Sequence, residues 1–237
     1  MMLQLDLGNS NLKWRCSSDG DVLGRGSMSV SAGLVLPQLE AAPLAVWVAS
    51  VRDAGTNAAL SALVEERWGL KPWFAESAAS ACGLSNSYRD PARMGVDRWL
   101  AMIAAWHHAG GPVCVVDAGS ATTIDFVDAG GAHRGGYILP GLAMMERSLL
   151  GETARVRFGD APRDRMEPGS CTEEAVFNGL QLAQVGAVAT ALDRYGAGEA
   201  LVFTGGNGAV AMGLLDRGGE YLEDLVLDGL VLLGREV

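Results

Sequence analysis

The sequence predicts an α/β protein made of two similar halves, each a mixed sheet flanked by helices. Three observations predict it. Apolar strand runs and amphipathic helical stretches alternate along the chain. The opening stretch LQLDLGNSNLKW reads as strand, Asp6, Gly8, small polar turn and second strand. The same order returns in VCVVDAGSATTIDF, with Asp117 and Gly119 in the matching places. The two aspartates are separated by about half of the 237 residues, so the duplication is at domain scale. The expected halves are 1–110 and 111–237, with a cleft between them.

The elements follow in order. Leu3, Leu5 and Leu7 alternate with Gln4 and Asp6, a strand period. LKWRCSS runs back as a second strand, Asp19-Gly20 is a hairpin turn, and DVLGRGSM is the third strand. A helix is expected at about 32–42, then the buried strand LAVWVASV at 44–51. A helix at 55–68 and a short strand at 71–75 come next, and 76–93 reads as a loop. From Gly95 an amphipathic helix begins, with Val96, Trp99, Leu100 and Ile103 on one face. Residues 113–141 form a second meander, turning between Asp128 and Gly131. A helix follows, with Pro140 near its first turn. The stretch 155–171 is polar and irregular. Thr172 is the expected N-cap of a helix reaching about 193, with Glu173 and Glu174 in its first turn. EALVFTGGNG is strand, glycine turn and helix start; a short strand near 220 and a helix over 223–235 end the chain.

Hydrophobic content of 49% and a net charge of −10 describe an acidic globular chain. Such a chain has no general attraction for nucleic acid or anionic membrane, so neither is an expected partner. No apolar run is expected to span a membrane. MMLQLDLG has no basic n-region and carries Asp6, so no signal peptide is expected. Cys16, Cys82, Cys114 and Cys171 are far apart, which argues for reduced thiols in the cytoplasm rather than a zinc site. His107, His108 and His133 form no ligand pattern.

The chemistry lies in the two hairpins. Glycine lets backbone approach a ligand, and consecutive turn N–H groups bind an anion. Ser10 and Ser120 add hydroxyls. Asp6 and Asp117 can orient a hydrated cation on ATP phosphates. Lys13 shares a strand face with Asn11 and can reach a phosphate as a point charge.

This duplicated pattern resembles the ribonuclease H-like, actin-like ATPase superfamily of sugar and acetate kinases, chaperones and actin. The motifs D-x-G-N-S-x-x-K at 6–13, G-V-D-R at 95–98, D-A-G-S-A-x-T-x-D at 117–125, G-G-x-I-x-P-G at 135–141 and T-G-G-N-G at 204–208 together resemble type III pantothenate kinase. The likeness runs nearly the full chain. It implies transfer of the ATP γ-phosphate to the primary hydroxyl of pantothenate, the first step of coenzyme A synthesis. It implies an ATP contact at Asp6, Leu7, Gly8, Asn9, Ser10, Asn11, Leu12, Lys13 and Ser120, and adenosine near T-G-G-N-G. It implies substrate contacts at Tyr88, Gly95, Val96, Asp97, Arg98 and Thr172, with Asp97 as catalytic base. It further implies Mg2+ carried with ATP, a monovalent K+ or NH4+ at Asp117, and a homodimer with the active site near its interface. The helix 95–109 suits either that interface or a monomer core. The chain departs from the family in Ser10 and Ser120 where threonine is usual, in Cys171 where asparagine is usual, and in Thr153-Ala154-Arg155-Val156. The competing readings are another small-molecule kinase of the superfamily and a non-catalytic regulatory accessory factor. The second has no need of a base at Asp97.

Overall fold

The computed structural model describes residues 1–31, 33–152, 164–196 and 198–236. They form two units, Met1–Ala104 with Asp224–Val237, and Ala105–Glu223. Each unit is built on one five-stranded sheet.

In the first unit β1 (Met2–Leu7), β2 (Asn11–Ser18) and β3 (Asp21–Ser29) form an antiparallel meander. Asp19 and Gly20 both have positive φ, 53° and 97°, the geometry a tight hairpin demands of its two central residues. β4 (Ala45–Ser50) lies parallel to β1, and β5 (Trp73–Phe74) parallel to β4, giving the order β3-β2-β1-β4-β5. Helix α1 (Ala54–Trp68) joins them, its N-terminus capped by Asp53 accepting from the Thr56 amide and hydroxyl. Those two bonds hold the Asp53 carboxyl below its ordinary value. Leu3, Leu5, Leu7, Leu12, Val46, Val48, Leu60 and Val64 are the core beneath α1.

The expected helix at 32–42 does not form. Residues 33–43 have no regular secondary structure. Pro37 lacks an amide and steers Leu36 away from helical dihedrals. The apolar spacing serves packing instead: Leu36 is buried in the core, with Leu34 and Leu39 against it. The loop after β5 holds a small ribbon, β6 (Ser80–Ala81) and β7 (Leu84–Ser85), and a 3-10 turn at Pro91–Arg93. Helix α2 (Val96–Ala109) then crosses the unit boundary between Ala104 and Ala105. Trp99, Leu100, Met102 and Ile103 are fully buried, so this helix is protomer core.

The second unit repeats the plan. β8 (Val113–Ala118), β9 (Ala121–Val127) and β10 (His133–Pro140) form the meander. Pro140 is the last residue of β10, paired with Ala121, and helix α3 (Leu142–Glu152) opens after it. The long helix α4 (Thr172–Tyr195) follows. Cys171, not Thr172, takes the N-cap position, and its side chain caps nothing. Glu174 reaches back instead, accepting from the Ser170 amide (2.8 Å) and hydroxyl (2.7 Å). β11 (Ala200–Thr204) runs parallel to β8, helix α5 (Gly208–Leu215) follows, and β12 (Glu220–Tyr221) closes the order β10-β9-β8-β11-β12. Residues 155–163 of the expected irregular stretch lie outside the described residues.

Helix α4 is long and apolar enough to cross a membrane by length and composition, which the expectation of no such run missed. It packs on β9, α3 and α5, placing Phe177, Val185 and Val188 in the second unit's interior.

Helix α6 (Leu225–Gly234) lies with the first unit, although the expected division placed it with 111–237. Its anchors are specific. Arg15 donates to Asp228 at 2.6 Å and to Gln4 at 2.8 Å, and Gly229 packs directly on the Leu100 backbone. Arg15 is almost fully buried, so its charge is held by these partners and by Asp224 at 3.6 Å.

Candidate functional site

The duplication extends to single backbone hydrogen bonds. In the first hairpin the Gly8 amide donates to Asn11 O, and in the second the Gly119 amide donates to Ala121 O, both at 3.0 Å. The carbonyl of each turn serine accepts from the residue after the third strand: Ser10 from Val30 (3.1 Å), Ser120 from Gly141 (3.3 Å). The end of each first strand accepts from beyond the parallel strand: Leu7 from Val51 (3.3 Å), Ala118 from Asn207 (2.9 Å). Both turns therefore have their carbonyls tied back into their own unit, while Asn9, Ser10, Gly119 and Ser120 stay exposed.

The hairpins differ where charge matters. Register places Asp6 directly opposite Lys13 across β1 and β2, with Cβ atoms about 5 Å apart in such pairs. In the second hairpin Asp117 is opposite Thr123, so the lysine has no counterpart. Arg52, two residues beyond β4, donates to Asn9 O at 3.0 Å and braces the first turn. Leu7 and Leu12 are fully buried, so of these two only backbone can face a ligand.

The Asp117 carboxylate is enclosed by glycines. A Cβ on Gly205 would come 2.3 Å from its Oδ1 and 2.6 Å from Ala118 C, and one on Gly119 would come 3.1 Å from the same oxygen. Gly205 also has φ of +83°, a conformation that disfavours side chains. Among the described residues no group of three His, Cys, Asp or Glu side chains is placed to hold a metal. One carboxylate beside exposed turn backbone is a hard-oxygen donor set of low charge, which fits a weakly held monovalent or hydrated cation.

The third cluster gathers at the start of α2. Asp97 is in the first turn, and its Oδ1 accepts the Arg98 amide at 2.7 Å. Gly95 has no side chain because a Cβ would come 2.6 Å from that oxygen. Arg98 is 6% exposed and donates to the Tyr88 hydroxyl at 2.7 Å, its guanidinium also lying 5.6 Å from the ring centre. Tyr88 is set by its amide, which donates to Asn86 Oδ1 at 2.9 Å. Val96 is core, leaving only its backbone for a ligand.

The structure thus brings Tyr88, Gly95, Asp97 and Arg98 together, and pairs Asp6 with Lys13. Asp117 and Ser120 share the second hairpin, and Thr172 is exposed at the start of α4 in the same unit. Sequence reasoning missed Arg52 and a buried amide network through Gln184. Asn178, Gln181 and Gln184 recur every three residues along an otherwise apolar helix, and that stripe was the available signal.

Known proteins carry the same pattern. The sequence pattern of the type III pantothenate kinase family matches residues 2–194. A type III pantothenate kinase of Pseudomonas savastanoi pv. phaseolicola is 38% identical, over 98% of this chain and 98% of its own. That of Hahella chejuensis is also 38% identical, over 99% and 98%. A crystal structure of a Baf family chain from Campylobacter jejuni aligns with a TM-score of 0.62 at 22% identity, covering 99% of this chain and 98% of its own, which establishes the shared fold. Relatives that align from end to end leave one placement: the chain belongs to the type III pantothenate kinase family.

Proposed function

We propose that this chain transfers the γ-phosphoryl group of ATP to the primary hydroxyl of pantothenate, giving 4'-phosphopantothenate for coenzyme A synthesis in the cytoplasm. The observation that carries this reading is Asp97, anchored at a helix N-terminus beside the buried Arg98 and its half-buried partner Tyr88. The helix dipole favours the ionised carboxylate. Asp97 orients the acceptor hydroxyl and takes its proton late, because phosphoryl transfer has a loose transition state. Arg98 and Tyr88 receive the acceptor, the guanidinium facing its carboxylate.

In the first unit Asp6 to Lys13 bind phosphate through turn N–H groups, the Ser10 hydroxyl and the Lys13 ammonium; in the second, the turn at Ser120 is an ATP contact of the same kind. Asp6 orients Mg2+ carried with ATP, and Asp117 holds K+ or NH4+. Such cations offset the charge of the phosphate oxygens when bound. The chain acts as a homodimer. A second copy covers the apolar face of β10 and α4, a groove of about 610 Å³ lined by Tyr137, Leu139, Leu182 and Arg194, with the exposed Tyr195 beside Tyr137. Light scattering should read twice the 24.7 kDa chain mass, and a monomer at micromolar concentration would refute this.

The test of function is pantothenate-dependent conversion of ATP to ADP with Mg2+, in potassium against sodium. Turnover that needs pantothenate and favours potassium is expected; hydrolysis indifferent to pantothenate would sink the reading. In the same assay Arg98→Ala should raise the pantothenate KM about tenfold or more, the worth of one charge-assisted contact.

A further inference from the structure

We infer that Gln184 is a positioning residue for the nucleotide, its buried amide locking the β8–β9 hairpin to the glycine turn after β11. The inference rests on reading those two segments as the ATP side of the site. Gln184 lies in the middle of α4 and is 2% exposed. A glutamine there must satisfy both ends of its amide or lose stability through desolvation. It satisfies both. Nε2 donates to Thr122 Oγ1 at 2.6 Å, and Oε1 accepts from Asn207 Nδ2 at 2.7 Å.

These partners belong to the two segments that carry the ligand-facing backbone. Thr122 is fully buried and lies opposite Ala118 in the β8–β9 ladder. Asn207 follows Gly205-Gly206, and its own amide donates to Ala118 O at 2.9 Å. Thr122, Gln184, Asn207 and Ala118 therefore close a ring of contacts around the hairpin end. Glycine at 205 leaves no side chain to set the spacing between turn and hairpin, so directional hydrogen bonds set it. A leucine at 184 would fill the space without a polar desolvation cost. The amide adds registry between segments 85 positions apart, Thr122 to Asn207.

The experiment measures the ATP–Mg dissociation constant by calorimetry for wild type, Gln184→Met and Gln184→Glu, with pantothenate turnover run beside it. Methionine keeps length and volume while removing both bonds. It should weaken ATP binding about tenfold and leave the pantothenate KM within about twofold. Burial keeps a glutamate here in its neutral acid form, whose carbonyl oxygen accepts from Asn207 and whose hydroxyl donates to Thr122, so both contacts return and its ATP affinity should lie within about threefold of wild type. Should Gln184→Met not fold, Thr122→Val cuts the same link and should show the same loss. Unchanged ATP affinity in these variants, equal loss toward both substrates, or no rescue by glutamate would overturn the role. Wild type that binds ATP but leaves pantothenate untouched defeats only the acceptor assignment; wild type that binds no ATP defeats both.

Discussion

Asp97→Asn keeps the fold and lowers kcat by about a hundredfold to ten-thousandfold, the range for loss of a positioned general base. The substitution is conservative in geometry. An asparagine Oδ1 accepts the Arg98 amide as the aspartate does at 2.7 Å, so the first turn of α2 persists. What disappears is the negative charge and the ability to take a proton. A loose transition state deprotonates the acceptor late, which places the loss nearer the lower end of the range. The check is kcat and both KM values beside a thermal melt. A cooperative melt near wild type with kcat reduced less than about tenfold would remove Asp97 as the base.

Gly229→Ala should be the most destabilising single methyl in the first unit. A Cβ there would come 2.0 Å from Leu100 O, 2.6 Å from Leu100 C and 2.8 Å from Leu100 Cα. All three are backbone, so no side chain can swing aside, and α6 must lift from α2. Overpacking of this kind costs about 3 kcal/mol. That corresponds to a Tm lower by roughly 6–12 °C for a chain of this size. Gly213→Ala in α5 is the control. Nothing lies within 4 Å of its Cβ, so it should gain helix propensity and melt no lower than wild type. Equal melting of the two variants would mean that α6 does not bear on α2 so closely.

The architecture was readable wherever local pattern and tertiary demand agreed. The two Asp-x-Gly hairpins, the Asp19-Gly20 turn and the start of α2 at Val96 needed only alternation, turn chemistry and helical spacing. The segment 33–43 does not take the expected helix because Pro37 decides the backbone, and its leucines serve core packing instead. The cap of α4 was one residue off because Thr172 is the better capping side chain, yet Glu174 and Ser170 do the work. Within the site, Asp97 and Arg98 were visible as a motif, but the Tyr88 contact of Arg98 depends on how the loop before α2 folds. The Gln184 network was hidden for another reason. Its partners lie on three elements far apart in sequence, and a glutamine on a helix ordinarily reads as surface.

The return of α6 to the first unit has a consequence for synthesis. Residues 105–223 are contiguous, so that unit has all of its contacts once its last strand has emerged. The first unit, begun earlier, waits for its final helix. Until α6 arrives, Gln4, Arg15 and Trp47 on the sheet and the Leu100 stretch of α2 lack their cover. The half made first on the ribosome is therefore the half finished last, and nascent chains stalled before residue 225 present that uncovered face to chaperones.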